Sequence, residues 1–153
     1  TDGLLPCTPA GIMKLLEHAK INLEGKKVTV IGRSRIVGMP LSLMLAQKGV
    51  DATVTITHSR SKNIEQICQS SDVIIAAVGR PKFVKREWVR KSSVVVDVGI
   101  SRSINQSTGK SELVGDVEKT AMEVASHMTP VPGGVGPMTI AMLLTNTVVS
   151  ATK

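Results

Sequence analysis

The chain has 153 residues, 42% hydrophobic and 20% charged, which leaves room for one domain with a substantial core and excludes a disordered chain. Phe83 and Trp88 are its only Phe, Tyr or Trp residues, which disfavours RNA-binding sheets and single-strand binders that stack bases on aromatic side chains. The 19 Lys and Arg against 12 Asp and Glu give a net charge of +7, which predicts an anionic partner: nucleic acid, a membrane surface or a phosphorylated small molecule.

Helix and strand signals alternate along the chain. After a lead-in of residues 1–7, the first helix is predicted over 8–18, with Thr8 as its N-cap and Pro9 at its first position. Runs of apolar and β-branched residues predict four strands, at 28–31, 52–57, 73–78 and 94–98. Further helices are predicted from Gly38 or Pro40 to Gln47, over about 63–69, over about 117–125 and over 138–152, with a β-turn at 105–110.

The four predicted strands are almost continuously apolar, as parallel strands are when both faces of a sheet are covered. Helices between them favour right-handed crossovers. The sequence therefore predicts an α/β fold, a doubly wound and mostly parallel sheet of the Rossmann-like class. We expect residues 1–153 to form a single domain, because no linker or low-complexity segment interrupts them.

The first strand is followed by a turn with the properties of an anion site. Gly32, Arg33, Ser34 and Arg35 offer backbone N–H groups, a hydroxyl and two guanidinium groups ahead of a helix. The turn matches neither GxGxxG nor GxxxxGK[ST]. A plain strand-to-helix turn with solvated arginines explains the same residues equally well.

The second strand ends in His58, Ser59 and Arg60, with no carboxylate. NAD-selective Rossmann domains place an acidic residue here for the ribose hydroxyls, whereas a basic or hydroxyl residue accommodates the 2′-phosphate of NADP. Together with Arg33 or Arg35, these residues predict a 2′-phosphate pocket and favour NADP over NAD. The alternative is a polar surface loop.

Later strand ends add supporting signals. Gly79 and Gly99 would let a nucleotide approach the backbone closely, although a tight turn needs the same glycines. Asp97, inside an apolar strand, must find hydrogen-bond donors if it is buried, which favours structural anchoring. Residues 129–137 hold three prolines and three glycines, a rigid backbone suited to a wall against a flat ligand.

Nearly the whole chain resembles the nucleotide-binding half of the methylenetetrahydrofolate dehydrogenase/cyclohydrolase family. Five segments carry the resemblance: PCTPAG at 6–11, VIGRSRIVGMP at 30–40, VDVGI at 96–100, VGDV at 114–117 and TPVPGGVGPMT at 129–139. The resemblance implies oxidation of 5,10-methylenetetrahydrofolate with NADP, followed by hydrolysis to 10-formyltetrahydrofolate. It also implies roles for individual residues: cofactor contacts for Gly32, Arg33, Ser34, Ser59 and Ile100, and a folate–nicotinamide cleft at Pro132 and Gly133. Arg35, His58, Arg60 and Gly79 are further candidates for cofactor contact.

The family carries its catalytic Lys and Tyr on an N-terminal domain that should precede Pro6, where this sequence has only five residues. We therefore expect a cofactor domain that binds nucleotide without turning over folate, and we assign no catalytic residue and no metal ligand within it. The resemblance implies tetrahydrofolate and the absent domain as partners, and a homodimer. A nucleic-acid binder and a non-catalytic nucleotide-binding or dimerisation module are the alternatives.

Cys7 and Cys68 lie in no CxxC pair, which indicates a reducing compartment. No apolar run approaches the ~20 residues of a membrane span, and the first residues lack the features of a signal peptide. We therefore predict a cytoplasmic protein with no membrane partner. The basic residues are scattered over loops rather than clustered on one face, which argues against nucleic acid.

Overall fold

A computed structural model describes residues 3–105 and 109–152. Seven strands are present in this part of the chain: β1 (Lys27–Ile31), β2 (Thr53–Thr57), β3 (Val73–Ala76), β4 (Val94–Asp97), β5 (Ser101–Ile104), β6 (Ser111–Val114) and β7 (His127–Met128). The α-helices are α1 (Cys7–His18), α2 (Gly38–Ala46), α3 (Ile64–Gln69) and α4 (Val135–Ala151). Two short 3₁₀ helices, η1 (Arg86–Trp88) and η2 (Lys119–Glu123), complete the fold.

Five strands form one parallel sheet in the order β2-β1-β3-β4-β7, while β5 and β6 form a separate antiparallel hairpin. Because β1 lies between β2 and β3, the sheet grows in one direction from β1 to β2 and in the other from β3 onwards. Ligands of open α/β sheets bind beyond the carboxyl ends of the strands at such a switch point. The predicted doubly wound, Rossmann-like architecture is confirmed.

Both faces of the sheet are covered, which explains the apolar runs in the sequence. One face buries Val28, Val30, Val73 and Ile75 with residues of α1, α2 and α4, and the other buries Ile31, Ile74 and Val95 with Cys68 of α3 and residues near η1 and η2. Adjacent strand residues point to opposite faces, so a strand buried on both sides is apolar throughout.

The first and last helices pack against each other on the same face of the sheet. Gly11 of α1 lies against Met138 of α4, where a side chain at position 11 would collide with the Met138 Cβ. The hydroxyls of Thr8 and Thr139 are 2.9 Å apart and hydrogen-bonded, and the Asn146 side chain donates to the Leu5 carbonyl at 2.9 Å. This contact joins the two ends of the described chain.

Several predicted boundaries are wrong. The strand β2 lies at the edge of the sheet and is not covered on both faces, since Thr57 alone of its residues is buried. Thr8 does not cap α1, which begins at Cys7 inside the predicted lead-in, and its hydroxyl pairs with Thr139 instead. The C-terminal helix begins at Val135 rather than at 138, since Pro137 occupies the first turn, where a backbone N–H has no intrahelical acceptor.

No α-helix forms over 117–125. The Val117 N–H is donated to Asp97 and the Glu118 N–H to the Val84 carbonyl, so the chain is bridged to its neighbours here and only the 3₁₀ turn η2 follows. The hairpin β5–β6 was not predicted beyond the turn at 105–110, of which residues 106–108 lie outside the described residues. Half-buried and exposed residues alternate along it in the structure, but serines occupy the half-buried positions of β5, so no alternation of apolar and polar residues indicated that strand.

The turn after β1 depends on a close backbone approach at Gly32. Gly32 has φ +114°, and a Cβ at this position would collide with the Ala77 carbonyl oxygen just beyond β3. A Cβ on Gly38 would in turn collide with the Gly32 carbonyl oxygen. The end of β1 therefore rests directly on the segment after β3, and the 32–38 turn folds back on itself.

At the opposite end of the sheet, Asp72 links three segments. Its Oδ2 accepts the Lys27 backbone N–H at 2.9 Å, and its Oδ1 lies 2.6 Å from Nη2 of Arg90. The backbone hydrogen bond is the main cause that lowers the pKa of Asp72, and Arg90 adds to it. The ionised carboxylate therefore stabilises the start of β1 and β3.

We predict that Asp72→Asn weakens the fold in a pH-dependent way. A carboxyl whose pKa is lowered by folding contributes stability above its unfolded pKa, about pH 4, and loses it as the pH falls further. We expect the free energy of unfolding to fall by about 1 kcal/mol at pH 7, since the site is partly solvent-screened, and by less at pH 3. Urea titrations at both pH values measure it, with Glu24→Gln, which removes an exposed carboxylate, as control. A difference independent of pH would contradict the prediction.

We also predict that Gly32→Ala and Gly49→Ala differ. Both glycines have positive φ, +114° and +94°, but a Cβ at Gly49 meets open space. Gly49→Ala should cost about 1–2 kcal/mol of backbone strain, and Gly32→Ala at least about 2 kcal/mol more, because the Ala77 carbonyl must move. Urea unfolding measures both, and equal losses would contradict the close approach.

Candidate nucleotide-binding site

A groove of about 310 Å³ lies at the carboxyl ends of β1, β2 and β3, at the switch point of the sheet. Five of the predicted cofactor residues line it: Gly32, Arg33, Ser34, His58 and Ser59. Arg35 and Arg60 are exposed on the same two turns but do not line the groove. Gly79 adjoins it, between Val78 and Arg80, which do.

Ser34 links the first turn to the start of α2 by side-chain hydrogen bonds. The Ser34 Oγ accepts the N–H groups of Val37 at 3.1 Å and Gly38 at 3.4 Å, so it holds the start of α2 while its own hydrogen stays available. Arg33 is exposed beside it. The partial positive charge at the start of α2 adds to the arginine charge and favours an anion at this turn.

The second turn is closed by its own hydrogen bonds. The His58 N–H donates to Ser61 Oγ at 3.0 Å, the Ser61 N–H donates to the His58 carbonyl at 2.8 Å, and the Arg60 N–H donates to His58 Nδ1 at 3.2 Å. Because Nδ1 is an acceptor, a neutral His58 carries its proton on Nε2. The Gly32 N–H donates to the Thr57 carbonyl at 2.9 Å, which fixes this turn beside the first.

A narrow crevice follows the end of β4. Ile100, Pro132 and Gly133 line it together with Asp97 and Gly99. The remaining predicted residues therefore meet at a second place on the same edge of the sheet. The backbone of Gly134 packs against the Pro130 carbonyl, so the loop after β7 is compact.

Asp97 has the donors that its burial requires. Its Oδ1 accepts the N–H groups of Gly99 at 2.9 Å and Asp116 at 2.8 Å, and its Oδ2 accepts that of Val117 at 3.0 Å. Burial raises the pKa of Asp97, and the three N–H donors oppose that rise. The Thr129 hydroxyl accepts the Asp97 N–H at 2.9 Å. Asp97 is thus a structural anchor of the crevice.

Sequence reasoning missed two features of the site. Arg80 and Phe83 line the groove, with the guanidinium carbon 5.0 Å from the ring centroid, a cation–π contact. Asp116 is buried and accepts two N–H groups from the turn after β3. Its place in a Val-Gly-Asp-Val run behind a strand was a signal, but its acceptor role depends on residues almost 40 positions away.

In residues 3–105 and 109–152, no group of three or more His, Cys, Asp or Glu is arranged to hold a metal ion. Burial raises the pKa of the Cys68 thiol to about 12, so it is no nucleophile. None of the described helices is both long enough and apolar enough to cross a membrane.

The groove fits a phosphorylated nucleotide. Because Gly32 has no side chain, its backbone is accessible in the groove. The hydroxyls of Ser34 and Ser59 and the Arg33 guanidinium supply hydrogen-bond donors, and none of the residues that line the groove is acidic. Side chains of this kind bind phosphate through charge-assisted hydrogen bonds.

Comparison with known proteins agrees with this geometry. Residues 6–153 match the family model "Tetrahydrofolate dehydrogenase/cyclohydrolase, NAD(P)-binding domain". "Bifunctional protein FolD" of Lawsonia intracellularis is 58% identical over 151 residues, which cover 96% of this chain and 51% of that protein. The FolD protein of Thermus thermophilus is 50% identical, over 97% of this chain and 50% of its own length. The chain thus spans about half the length of the curated relatives it matches.

Solved structures agree as well. The bifunctional FolD enzyme of Campylobacter jejuni superposes with a TM-score of 0.89 at 47% identity, over 98% of this chain and 51% of its own. The Trypanosoma brucei enzyme, described as complexed with NADP and inhibitor, gives 0.86 at 41% identity, over 95% of this chain and 50% of its own. The NAD-dependent dehydrogenase of Saccharomyces cerevisiae gives 0.74 at 27%, over 95% and 51%. The resemblance seen in the sequence is confirmed, and the chain belongs to the tetrahydrofolate dehydrogenase/cyclohydrolase family as its NAD(P)-binding domain.

Proposed function

We propose that this chain is the NADP-binding half of a bifunctional 5,10-methylenetetrahydrofolate dehydrogenase and 5,10-methenyltetrahydrofolate cyclohydrolase. The groove at the switch point carries the proposal, because Gly32, Arg33, Ser34 and Ser59 meet there without an acidic neighbour in its lining. The family membership supports the reaction, and the half-length match to relatives supports the division into two halves.

The choice of NADP over NAD rests on the second turn. The relatives include one enzyme described with NADP and one described as NAD-dependent, so cofactor choice varies and must come from this chain's own residues. Strand β2 ends in Thr57 and is followed by His58 and Ser59, with no carboxylate to pair with a free ribose 2′-hydroxyl. We assign the 2′-phosphate to Arg33 and Ser59, with His58 beside them in the groove. Arg35 and Arg60, which are exposed on the same two turns outside the groove lining, add positive charge nearby.

The bound cofactor supplies the hydride acceptor. The chain's part is to orient it: Gly32 and Gly79 allow close approach to the backbone, while Ile100, Pro132 and Gly133 form a wall beside the nicotinamide and the folate. With NADP held in the groove, the methylene carbon of the folate would have a hydride acceptor beside it and would pass to the methenyl form, to which water would add to give 10-formyltetrahydrofolate and a proton. Holding both reactants in place is the main catalytic contribution of such a site.

The folate half, with the family's Lys and Tyr, is proposed to come from sequence outside these 153 residues. Alone, the chain binds NADP without turning over folate. We place the reaction in the cytoplasm, in line with two free cysteines.

A homodimer is the second part of the proposal. The hairpin β5–β6 presents Ile104 and Leu113 on one exposed face, with relative exposures of 71% and 41%. Exposed apolar residues grouped on one face favour association with a partner. We assign this face to a second copy of the chain.

We predict that Arg33→Ala and Ser59→Ala weaken NADP binding and leave NAD binding nearly unchanged, because only NADP carries the 2′-phosphate. Loss of a charge-assisted hydrogen bond corresponds to about tenfold to a hundredfold in the dissociation constant for NADP. Calorimetric titration of both nucleotides measures the effect. Lys48→Ala, which removes an exposed charge beyond the end of α2, is the control and should change neither.

Binding of neither nucleotide to the unmodified chain would overturn the proposed function. Equal losses for NADP and NAD in Arg33→Ala would overturn only the assignment of the 2′-phosphate.

We predict that the chain sediments as a dimer and that Ile104→Glu shifts it towards the monomer, since a carboxylate would be desolvated in the interface. Ile36→Glu is the matched control, because Ile36 has a similar relative exposure, 75%, in the turn before α2. Analytical ultracentrifugation measures the effect. A monomeric unmodified chain, or an equal shift in both variants, would contradict the assigned face.

A further inference from the structure

Asp116 is buried, with a relative exposure of 0%, and its side chain accepts two hydrogen bonds from one turn in the described part of the chain. Its Oδ2 accepts the Val78 N–H at 2.7 Å and the Gly79 N–H at 2.8 Å. Hydrogen bonds from backbone N–H groups to a carboxylate are about twice as strong as neutral ones. One side chain therefore fixes the turn that follows β3.

The backbone of Asp116 is itself fixed by hydrogen bonds to two other segments. The carboxylate of Asp97 accepts its N–H at 2.8 Å, and the Asp116 carbonyl accepts the Val84 N–H at 2.9 Å. Gly115, which precedes it, has no room for a side chain, because a Cβ there would collide with the Asp97 carboxylate. The Asp97 anchor at the end of β4 thus sets the position of Asp116, which in turn sets the turn after β3.

This turn reaches the nucleotide groove at two points. Ala77 and Val78 line the groove directly. The Ala77 carbonyl is also the group against which the Gly32 backbone rests, so a shift of residues 77–79 displaces the floor under the first turn.

The other oxygen of Asp116, Oδ1, is buried without a hydrogen-bond partner among the described residues and lies against Gly99, which lines the crevice. A Cβ on Gly99 would collide with Asp116 Oδ1, so the backbone before Ile100 packs on the same carboxylate. Asp116 therefore lies between the groove, which contains Arg33 and Ser59, and the crevice, which contains Ile100 and Gly133.

We infer that Asp116 is a positioning residue for cofactor binding: it fixes the 77–79 turn that supports Gly32 and keeps the groove and the crevice in register for one dinucleotide. The inference rests on the proposed function. It assigns a role to a side chain that touches no cofactor and acts through Val78, Gly79 and Gly99.

The test compares Asp116→Ala with Asp116→Asn by calorimetric titration of NADP at a temperature where each variant is fully folded. Within the described residues only Oδ2 of Asp116 accepts hydrogen bonds. An Asn oxygen in that place retains both, and the Asn amide nitrogen takes the place of Oδ1, which has no partner to lose. Ala instead leaves the Val78 and Gly79 N–H groups without an acceptor. We expect about a tenfold or greater loss of NADP affinity in Asp116→Ala, and a loss within about threefold in Asp116→Asn.

Ser71→Ala is the matched control. Ser71 is buried and hydrogen-bonded, with its Oγ 2.7 Å from that of Thr29 and 2.7 Å from the Ile67 carbonyl, but it precedes β3 and lies at the opposite end of the sheet. We expect Ser71→Ala to lower the melting temperature and to leave the NADP affinity of the folded protein unchanged. If Asp116 had a purely structural role, Asp116→Ala would behave in the same way.

If Asp116→Ala yields no folded protein, Asp116→Glu decides. It keeps the carboxylate but adds one carbon, which displaces the acceptor by about 1.5 Å, and should also weaken NADP binding. Unchanged NADP affinity in the folded Ala or Glu variant overturns the inference alone. Failure of the unmodified chain to bind NADP overturns the proposed function instead.

Discussion

The contact of the Gly32 backbone with the Ala77 carbonyl is the constraint on which the site depends. Parallel pairing places β1 beside β3, but only a residue without a Cβ lets the chain turn there with φ +114°. That turn brings Arg33 and Ser34 to the groove and lets the Gly32 N–H reach the Thr57 carbonyl of the next strand. The close approach joins the ends of β1 and β3, and the Gly32 hydrogen bond adds the end of β2. The polar groups of these strand ends therefore line one groove.

The core that supports this edge is almost free of aromatic residues. Branched aliphatic side chains fill both faces of the sheet, and Phe83 and Trp88 meet edge to face at its rim, with ring centroids 5.5 Å apart. Such side chains have few rotamers on strands and pack densely. The buried carboxylates Asp97 and Asp116 stand out against this core, because neither forms an ion pair among the described residues. Asp97 accepts backbone N–H groups on both oxygens, whereas Asp116 accepts two on Oδ2 and its buried Oδ1 has no hydrogen-bond partner in this part of the chain.

The class of fold and the location of the site could be predicted because both depend on local patterns. Apolar runs identify β3 and β4, and the residues just after each strand reach one edge in any parallel sheet. The edge position of β2 could not be predicted, since strand order depends on pairing between distant segments. The same holds for residues 117–118, whose N–H groups are taken by Asp97 and Val84, and for Thr8, whose partner Thr139 is 131 positions away. The roles of individual residues in cofactor binding remain predictions.

The packing of α1 against α4 bears on the order in which the chain folds. The ribosome releases α1 first, yet its partner α4 follows only after the entire sheet has been made, a delay of several seconds or more at about 5–20 residues per second. Until then the face of α1 that receives Met138 lacks its cover, and that side of the core is incomplete. A nascent chain of this sequence therefore exposes an apolar surface until α4 has been made, and a chain truncated before Val135 would keep that surface exposed.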